Sequence, residues 1–365
     1  MAVTTHNMNL EYVEADGKWY EIGLAEGRSQ HSSVKYTIYR YASYHSESRI
    51  WTVLDKATDG VAEFLTNYFP EEWDEMRGIA DGAEVDMPLL VAANFPQAIA
   101  RIAGESKAVI TPAREQCSNI MFPSSELGPL LGGTLDDDPL RFILMGRPCG
   151  GIDFCCIMWP GWVACSWGGM NSAGLAMCGA SATPLLETSR RIDGRIFGLD
   201  MLSPVRVVLR SCKTIDEALN KMSQSYLWAG DNYSLMDASG RGVQVYSHIG
   251  NSQNLRVVEM PEDRGLCCGN FPLWEINQDD FKSFPHKQDV FSRYLNLKKA
   301  VDDNVGRYSV EAMKAVFTNH KGDPEKLESV CNDGTIVAMM AAPTLGRLFF
   351  ASRPPCVQGF REYTF

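Results

Sequence analysis

The apolar residues of this chain change their spacing near residue 141. Before that point Val61, Phe64, Leu65 and Tyr68 recur three or four positions apart, and Trp73, Met76, Ile79, Ala80 and Ala83 do so again after Pro70. Such spacing lays one apolar stripe along a helix, so the first third reads as helical. From about Arg141 the pattern turns into short apolar and β-branched runs broken by Gly, Pro and Asp: RFILM (141–145), DFCCIMW (153–159), WVACSW (162–167), GLAMC (174–178), NYSLMD (232–237) and GVQVYS (242–247). These read as strands. Between them a helical block is expected, where Val205, Val208, Leu209 and Cys212 precede Thr214, and Thr214 with Glu217 has the spacing of a capping box ahead of Ala218, Leu219 and Met222. A further helix over Ser309 to Phe317 leads into TIVAMMAAP (335–343) and RLFFASRP (347–354), a strand pair. Helices, strands, helices, strands is an α+β order. No repeat, low-complexity tract or Pro/Ser-rich linker divides the chain, so one domain over 1–365 is expected. Residues of one site that are scattered along the sequence must then meet in a single core.

With 365 residues, 45% hydrophobic and 22% charged, the chain has the composition of a globular protein rather than a disordered one. The net charge of −11 leaves no basic footprint for nucleic acid or an anionic membrane surface, and neither partner is expected. The first residues, MAVTTHNMNLEYVEADGK, show no cationic stretch followed by an apolar run, and no window approaches the roughly 20 apolar residues of a membrane span. A cytoplasmic location is the expectation.

Eleven cysteines is an odd number, and the chain is neither short nor visibly secreted, so most should be thiols rather than a disulfide framework. Cys155-Cys156 and Cys267-Cys268 are adjacent pairs, without the gap that turns two thiolates toward one zinc ion, and no metal or other cofactor is expected. As strand residues, each pair should alternate faces, with one member buried. The six histidines (His6, His31, His45, His248, His286, His320) are scattered singly, and none stands out as ligand or general base.

One cysteine has a setting that suits reaction. Cys117 lies in Arg114-Glu115-Gln116-Cys117-Ser118-Asn119, where helical sequence gives way to strands. A thiol nucleophile needs a base, and no histidine has a matching context. Cutting the chain before the cysteine offers one, because a freed α-amino group has an intrinsic pKa of about 7.7–8.0. Taken alone, by residue type, Cys117 reads as a buried strand cysteine.

Five landmarks in order set Cys117 in a wider pattern: DGKWYEIGLAEG (16–27), FPEEWDEMRGIADGAEVDM (69–87), Cys117-Ser118 followed 19 residues later by Asp136 in GGTLD, GGMNSAGLAM (168–177), and CGNFP (268–272). Together they resemble the acyl-coenzyme A:6-aminopenicillanic acid acyltransferase family, self-processing cysteine N-terminal-nucleophile hydrolases related to the choloylglycine hydrolases. The resemblance implies a four-layer αββα sandwich, a precursor that cuts itself between Gln116 and Cys117, and acyl transfer through a thioester. The fragments 1–116, helical, and 117–365, carrying the nucleophile, would stay associated. It implies further that Cys117 is the nucleophile, that Asp136 orients or polarises the new amino terminus, and that Asn270 lends its amide to the oxyanion. By themselves, Asp136 reads as a turn residue before Asp137 and Asp138, and Asn270 as a turn residue before Phe271-Pro272. Three departures from the pattern stand out. Gln116 replaces the usual Gly before the nucleophile, which hinders the scissile peptide. Gly133 occupies the position three before Asp136 where choloylglycine hydrolases carry Arg. In CNDGTIV (331–337), Asn332 replaces the arginine of the penicillin enzyme, which argues against penicillin substrates.

The activity so implied is hydrolysis of a linear carbon–nitrogen amide through acyl-Cys117. Transfer of the acyl group from acyl-coenzyme A or an amide to an amine is its nearest rival, and an uncut, inactive binding protein is a third reading. A small-molecule amide or acyl-coenzyme A is the expected partner; the oligomeric state is open. Coenzyme A would need a cationic pocket, for which Arg206, Arg210 and Arg293 are available, though they read equally as surface charges.

Overall fold

The structure is a computed structural model that describes residues 10–44, 49–104, 116–137, 140–163, 166–181, 198–199, 203–225, 231–248, 251–270, 288–320 and 328–365. It opens with strand β1 (Glu11–Gly17) and six helices: α1 (Trp19–Ser29), α2 (His31–Tyr44), α3 (Leu54–Tyr68), α4 (Pro70–Ala83), α5 (Met87–Asn94) and α6 (Pro96–Ile102). Six strands follow: β2 (Gln116–Phe122), β3 (Leu130–Asp136), β4 (Phe142–Pro148), β5 (Phe154–Met158), β6 (Ser166–Asn171) and β7 (Ala176–Ser181). Helices α7 (Ser203–Ser211) and α8 (Ile215–Gln224) precede β8 (Asp231–Met236), β9 (Gly242–His248), β10 (Asn251–Glu259) and β11 (Leu266–Cys268). Helices α9 (Gln288–Asp303) and α10 (Val310–Phe317) lead to β12 (Thr335–Ala342), β13 (Arg347–Ser352), α11 (Pro355–Gln358) and β14 (Arg361–Tyr363).

The strands form two sheets. One has the order β1-β4-β5-β6-β7-β8-β9-β10, the other β11-β2-β3-β12-β13-β14. Their facing sides share one apolar layer, to which the first sheet sends residues such as Met170 and Cys178 and the second Leu131, Val337 and Met339. The outer side of the second sheet, through Ile120, Phe122, Ala338 and Met340, packs on Leu297 and Val301 of α9 and Met313 and Phe317 of α10. Helices α1, α7 and α8 cover the other sheet, and α2 to α6 build a separate apolar cluster beyond them. The fold is α+β, with the layer order helix, sheet, sheet, helix of an αββα sandwich. Among the described residues no helix is long and apolar enough to cross a membrane.

Two of the five landmarks are explained by how close two helices come. Gly23 and Gly27 of α1 face Gly78 and Gly82 of α4; a methyl on Gly23 would lie 2.0 Å from the Glu75 carbonyl oxygen, and one on Gly78 2.1 Å from that of Tyr20. Backbone meets backbone, and any side chain at these four positions would push the helices apart. The helical periodicities hold: Val61, Phe64 and Leu65 of α3, and Met76, Ile79, Ala80 and Ala83 of α4, are buried. Tyr68 and Trp73 lie off the buried stripe. Thr214 caps α8 by accepting the Glu217 N–H at 3.2 Å, and Ser309 caps α10 from Ala312 at 3.0 Å.

Two expectations are corrected. The first third is not purely helical, since β1 pairs in parallel with β4 at the edge of the larger sheet and only Val13 and Ala15 of it are buried. Cys155, Cys156, Cys267 and Cys268 are all buried, both members of each pair, because each sheet is covered on both faces and offers its strands no solvent side. The ten described cysteines are free thiols or thiolates; Cys165 lies outside the described residues, as do Arg114, Glu115, Asp138, Phe271 and Pro272.

Candidate active site

Strand β2 starts at Gln116 and pairs antiparallel with β3, which sets Gln116 opposite Asp136 and Cys117 opposite Leu135. On its other side β2 pairs with β11, Cys268 facing Asn119, so Asn270 follows two residues beyond a strand that lies alongside the one carrying Cys117. Pairing of β3 with β12 puts Thr335 opposite Asp136. Three of the predicted residues are thus gathered at one end of the smaller sheet by strand register alone.

Cys117 is 4% exposed. Its backbone N–H donates to Asn270 Oδ1 at 2.8 Å, and Asn270 Nδ2 donates to the Ser181 carbonyl, at the end of β7 in the opposite sheet, at 3.0 Å. One partner can only donate and the other only accept, so the orientation of this amide is determined by its surroundings. Asn270 therefore ties the backbone of Cys117 to the facing sheet. Its own backbone neighbour is held as well, because Asn232 Nδ2 donates to the Gly269 carbonyl at 2.7 Å.

Asp136 is 1% exposed and accepts two short hydrogen bonds, from Asn332 Nδ2 and from the Thr335 hydroxyl, each 2.7 Å. Burial raises its carboxyl to about 6, against the opposing pull of the nearby Arg293 guanidinium and of the two hydrogen bonds. The loop before β12 is built to present Asn332: its Oδ1 accepts the Gly334 N–H at 2.8 Å, its backbone N–H donates to the Thr335 hydroxyl oxygen at 3.0 Å, and its Nδ2 also reaches the Ser329 carbonyl at 3.0 Å. An Asn two residues before a Gly is a turn signal that can be read locally. That its amide also holds Asp136 follows only from the β3–β12 pairing, and Thr335 carried no signal of its own.

Gly133 stands beside this site. A methyl group there would come within 2.5 Å of the Ser118 carbonyl oxygen, 2.7 Å of Asn119 Oδ1 and 3.2 Å of the Trp167 ring. The fold as it stands has no room at this position for an arginine, nor for any side chain. Among the described residues, Asn119 Oδ1 and Trp167 Nε1 are buried without a hydrogen-bond partner. Two further thiols lie in this layer. Burial pushes Cys178 well above the ordinary thiol range, with Cys268 and Cys117 adding to the effect, and raises Cys268 to about 11.

The three arginines that read as either pocket or surface charges are buried. Arg206, 1% exposed, pairs with Glu75, and Arg210 pairs with Glu72, both in α4. Arg293, also 1% exposed, lies 3.7 Å from Asp289 on its own helix and acts on Asp136. None of the three forms an exposed cationic patch for phosphates.

No family model matches this sequence, and no curated protein sequence matches it. The chain is similar to the solved structure of penicillin V acylase from Agrobacterium tumefaciens, with 14% identity, a TM-score of 0.42, and coverage of 68% of this chain and 86% of that one. It is similar also to two single-residue variants of conjugated bile acid hydrolase from Clostridium perfringens, at 10% identity and TM-scores of 0.45 and 0.44, with 68% of this chain and 97% of theirs covered.

Proposed function

We propose that the chain is a self-processing cysteine amidohydrolase in which Cys117 forms an acyl-thioester with a linear amide substrate. The observation that carries this reading is the hydrogen bond from the Cys117 nitrogen to Asn270 Oδ1, made at the one point where Asp136 stands across the strand pair from Gln116. Cys117 lies beyond the last β11 pair, Cys268 with Asn119, so its N–H takes the Asn270 side chain in place of a ladder partner. The same contact would hold a free amino group once the strand is cut.

In maturation the Cys117 sulfur attacks the Gln116 carbonyl carbon, the carbon–nitrogen bond breaks, and the thiol proton passes to the departing nitrogen. Water then cleaves the thioester, leaving a Gln116 carboxylate and a free Cys117 thiol. In turnover the new α-amino group accepts the thiol proton as sulfur attacks the substrate carbonyl and returns it to the leaving amine. Asp136, carried close by the register, favours the charged amine and holds its position. Oxyanion stabilisation falls to Asn270, whose amide nitrogen has a second N–H beyond the one given to Ser181. The buried Asn119 and Trp167 polar atoms beside Gly133 offer an acceptor and a donor to the substrate amide.

Acyl transfer from coenzyme A loses its support with the arginines, two of which are tied into ion pairs within the fold. Denaturing mass spectrometry of the purified chain tests the proposal. Fragments 1–116 and 117–365 are expected from the wild type, and one inert, uncut chain from Cys117→Ala. A wild-type chain that stays whole through long incubation while still hydrolysing amides excludes self-processing. One that stays whole and inert fits the binding-protein reading.

A further inference from the structure

The mechanism uses one cysteine, and the site's own layer accounts for Cys178 and Cys268. A second cluster includes Cys331, the residue just before Asn332. The side-chain ligand atoms of His320, Cys331 and Cys356 all lie within 4.8 Å of one another. They come from three segments, His320 from the chain beyond α10, Cys331 from the approach to β12 and Cys356 from α11. The Cys331 N–H donates to the Asn319 carbonyl at 3.0 Å, which holds the histidine's segment beside the first cysteine. We propose that His320, Cys331 and Cys356 form a binding site for a borderline-soft divalent cation of the zinc type, three ligands from the protein and the fourth position open to solvent.

Size and chemistry both fit. Zinc bonded to sulfur at about 2.3 Å and to nitrogen at about 2.0–2.1 Å in a tetrahedron spaces its ligand atoms roughly 3.5–3.8 Å apart, so closing the present cluster onto an ion takes only a small contraction. Two thiolates and one imidazole select zinc-like ions over magnesium or calcium, which take oxygen. Cys331 is buried while His320 and Cys356 are exposed, so an ion can enter from solvent and keep a water on its outer side. Binding displaces both thiol protons to solvent, so the affinity should rise with pH. The sequence could not show this site, because its members lack the close Cys spacing of a zinc motif. Since Asn332 follows Cys331 directly, a bound ion would also brace the loop that holds Asp136; that consequence rests on the hydrolase reading, whereas ion binding does not.

Cobalt(II) titration of the full chain, reduced and anaerobic, tests the site without reference to activity. One equivalent should bind with a sulfur-to-cobalt charge-transfer band and the intense visible bands of a tetrahedral ion, and zinc should bleach both. Cys356→Ser and His320→Ala, both at exposed positions, should lose the band at stoichiometric cobalt while keeping the metal-free melting temperature. Zinc should raise the melting temperature of the wild type and not of either variant. A wild type with no charge-transfer band, a band of unchanged strength in Cys356→Ser, or a Cys331–Cys356 disulfide that persists under reductant would each overturn the proposal.

Discussion

Two groups of buried carboxylates in this molecule are held by opposite means. Between α1, α4 and α7, Glu26, Glu72 and Glu75 meet Arg206 and Arg210, cation against anion, with Arg206 also lying over the Phe154 ring at 4.7 Å. At the end of β3, Asp136 is held by an amide and a hydroxyl, with the Arg293 guanidinium also acting on it. Direct pairing ties Glu72 and Glu75 to the arginines and joins helices to sheet, although burial still raises Glu72 and, with Glu75 beside it, pushes Glu26 well above the ordinary carboxyl range. Burial leaves Asp136 a carboxyl whose proton can come and go near pH 6, against the downward pull of Arg293 and of its two neutral donors. Buried charge alone therefore does not mark the site; the chemistry of its partners does.

Breaking the first cluster should show how far it is structural. Arg206→Met leaves Glu75 and Glu26 buried together without their cation, and removing one partner of a buried pair costs about 3–5 kcal/mol. The double variant Arg206→Met/Glu75→Leu should recover most of that loss. Denaturant unfolding measures both, and turnover per folded molecule should stay near wild type, since the cluster touches none of Cys117, Asp136 or Asn270. A well-folded Arg206→Met protein with a collapsed rate would make the cluster part of the site.

Asn270→Ala probes the second region. Under the proposed function it removes an oxyanion donor and frees the backbone of the nucleophile, and losing one such donor lowers turnover by about 10²–10³, or roughly 2.7–4 kcal/mol. The Michaelis constant should change little, because the interaction strengthens only as charge develops. Self-cleavage should slow as well. Single-turnover rate and melting temperature on one preparation separate this from a purely structural role, which predicts reduced stability with a normal rate per folded molecule.

What could be read from the sequence was local. Stripes such as Val61, Phe64 and Leu65 are visible because neighbours on a helix are three or four residues apart. Strand β1, EYVEADG, was missed because four of its seven residues are acidic or glycine and its support is a parallel partner 131 residues away. Arg206 and Arg210 read in the sequence as either pocket or surface charges, because the carboxylates that bury them, Glu75 and Glu72, stand 131 and 138 residues off. Asn332 and Thr335 are 196 and 199 residues from the carboxylate they bind. Cys117, Asp136 and Asn270 were reached through the order of the landmarks, which carries long-range information that periodicity does not.

Asp136→Asn sharpens the comparison through pH. The folded carboxyl is raised to about 6 from 3.8, so the folded state binds the proton more tightly than the unfolded chain and stability falls as pH rises through that window. The shift corresponds to about 3 kcal/mol at pH 7. Asparagine can keep both contacts, its oxygen toward Asn332 and its nitrogen toward a Thr335 hydroxyl turned to the Val330 carbonyl. The variant should match the wild type in stability near pH 3.5 and exceed it at pH 7, while losing activity. Equal pH profiles for the two proteins would mean that Asp136 does not titrate in this range.

The smallest effect is expected at Cys268, which tests whether closeness to the site amounts to a part in it. Its thiol lies 3.7 Å from Asn119 Nδ2 and 3.6 Å from the Ser234 hydroxyl, two residues before Asn270. Burial raises it to about 11, so at pH 7 it is a neutral thiol with no appreciable nucleophilic form. Cys268→Ala deletes one buried sulfur and a weak acceptor, a change of about 1 kcal/mol in stability, typical of a small core truncation. Turnover should fall less than about twofold, and self-cleavage should proceed at the wild-type rate, because the Asn270 amide keeps both of its backbone partners. Measuring cleavage and turnover for Cys268→Ala beside Cys117→Ala gives the sharpest contrast: the two sulfurs occupy one buried layer, and only one of them should matter to chemistry. If the Cys268 variant folds with an unchanged melting temperature and yet fails to cut or turn over, the nucleophile has been assigned to the wrong cysteine.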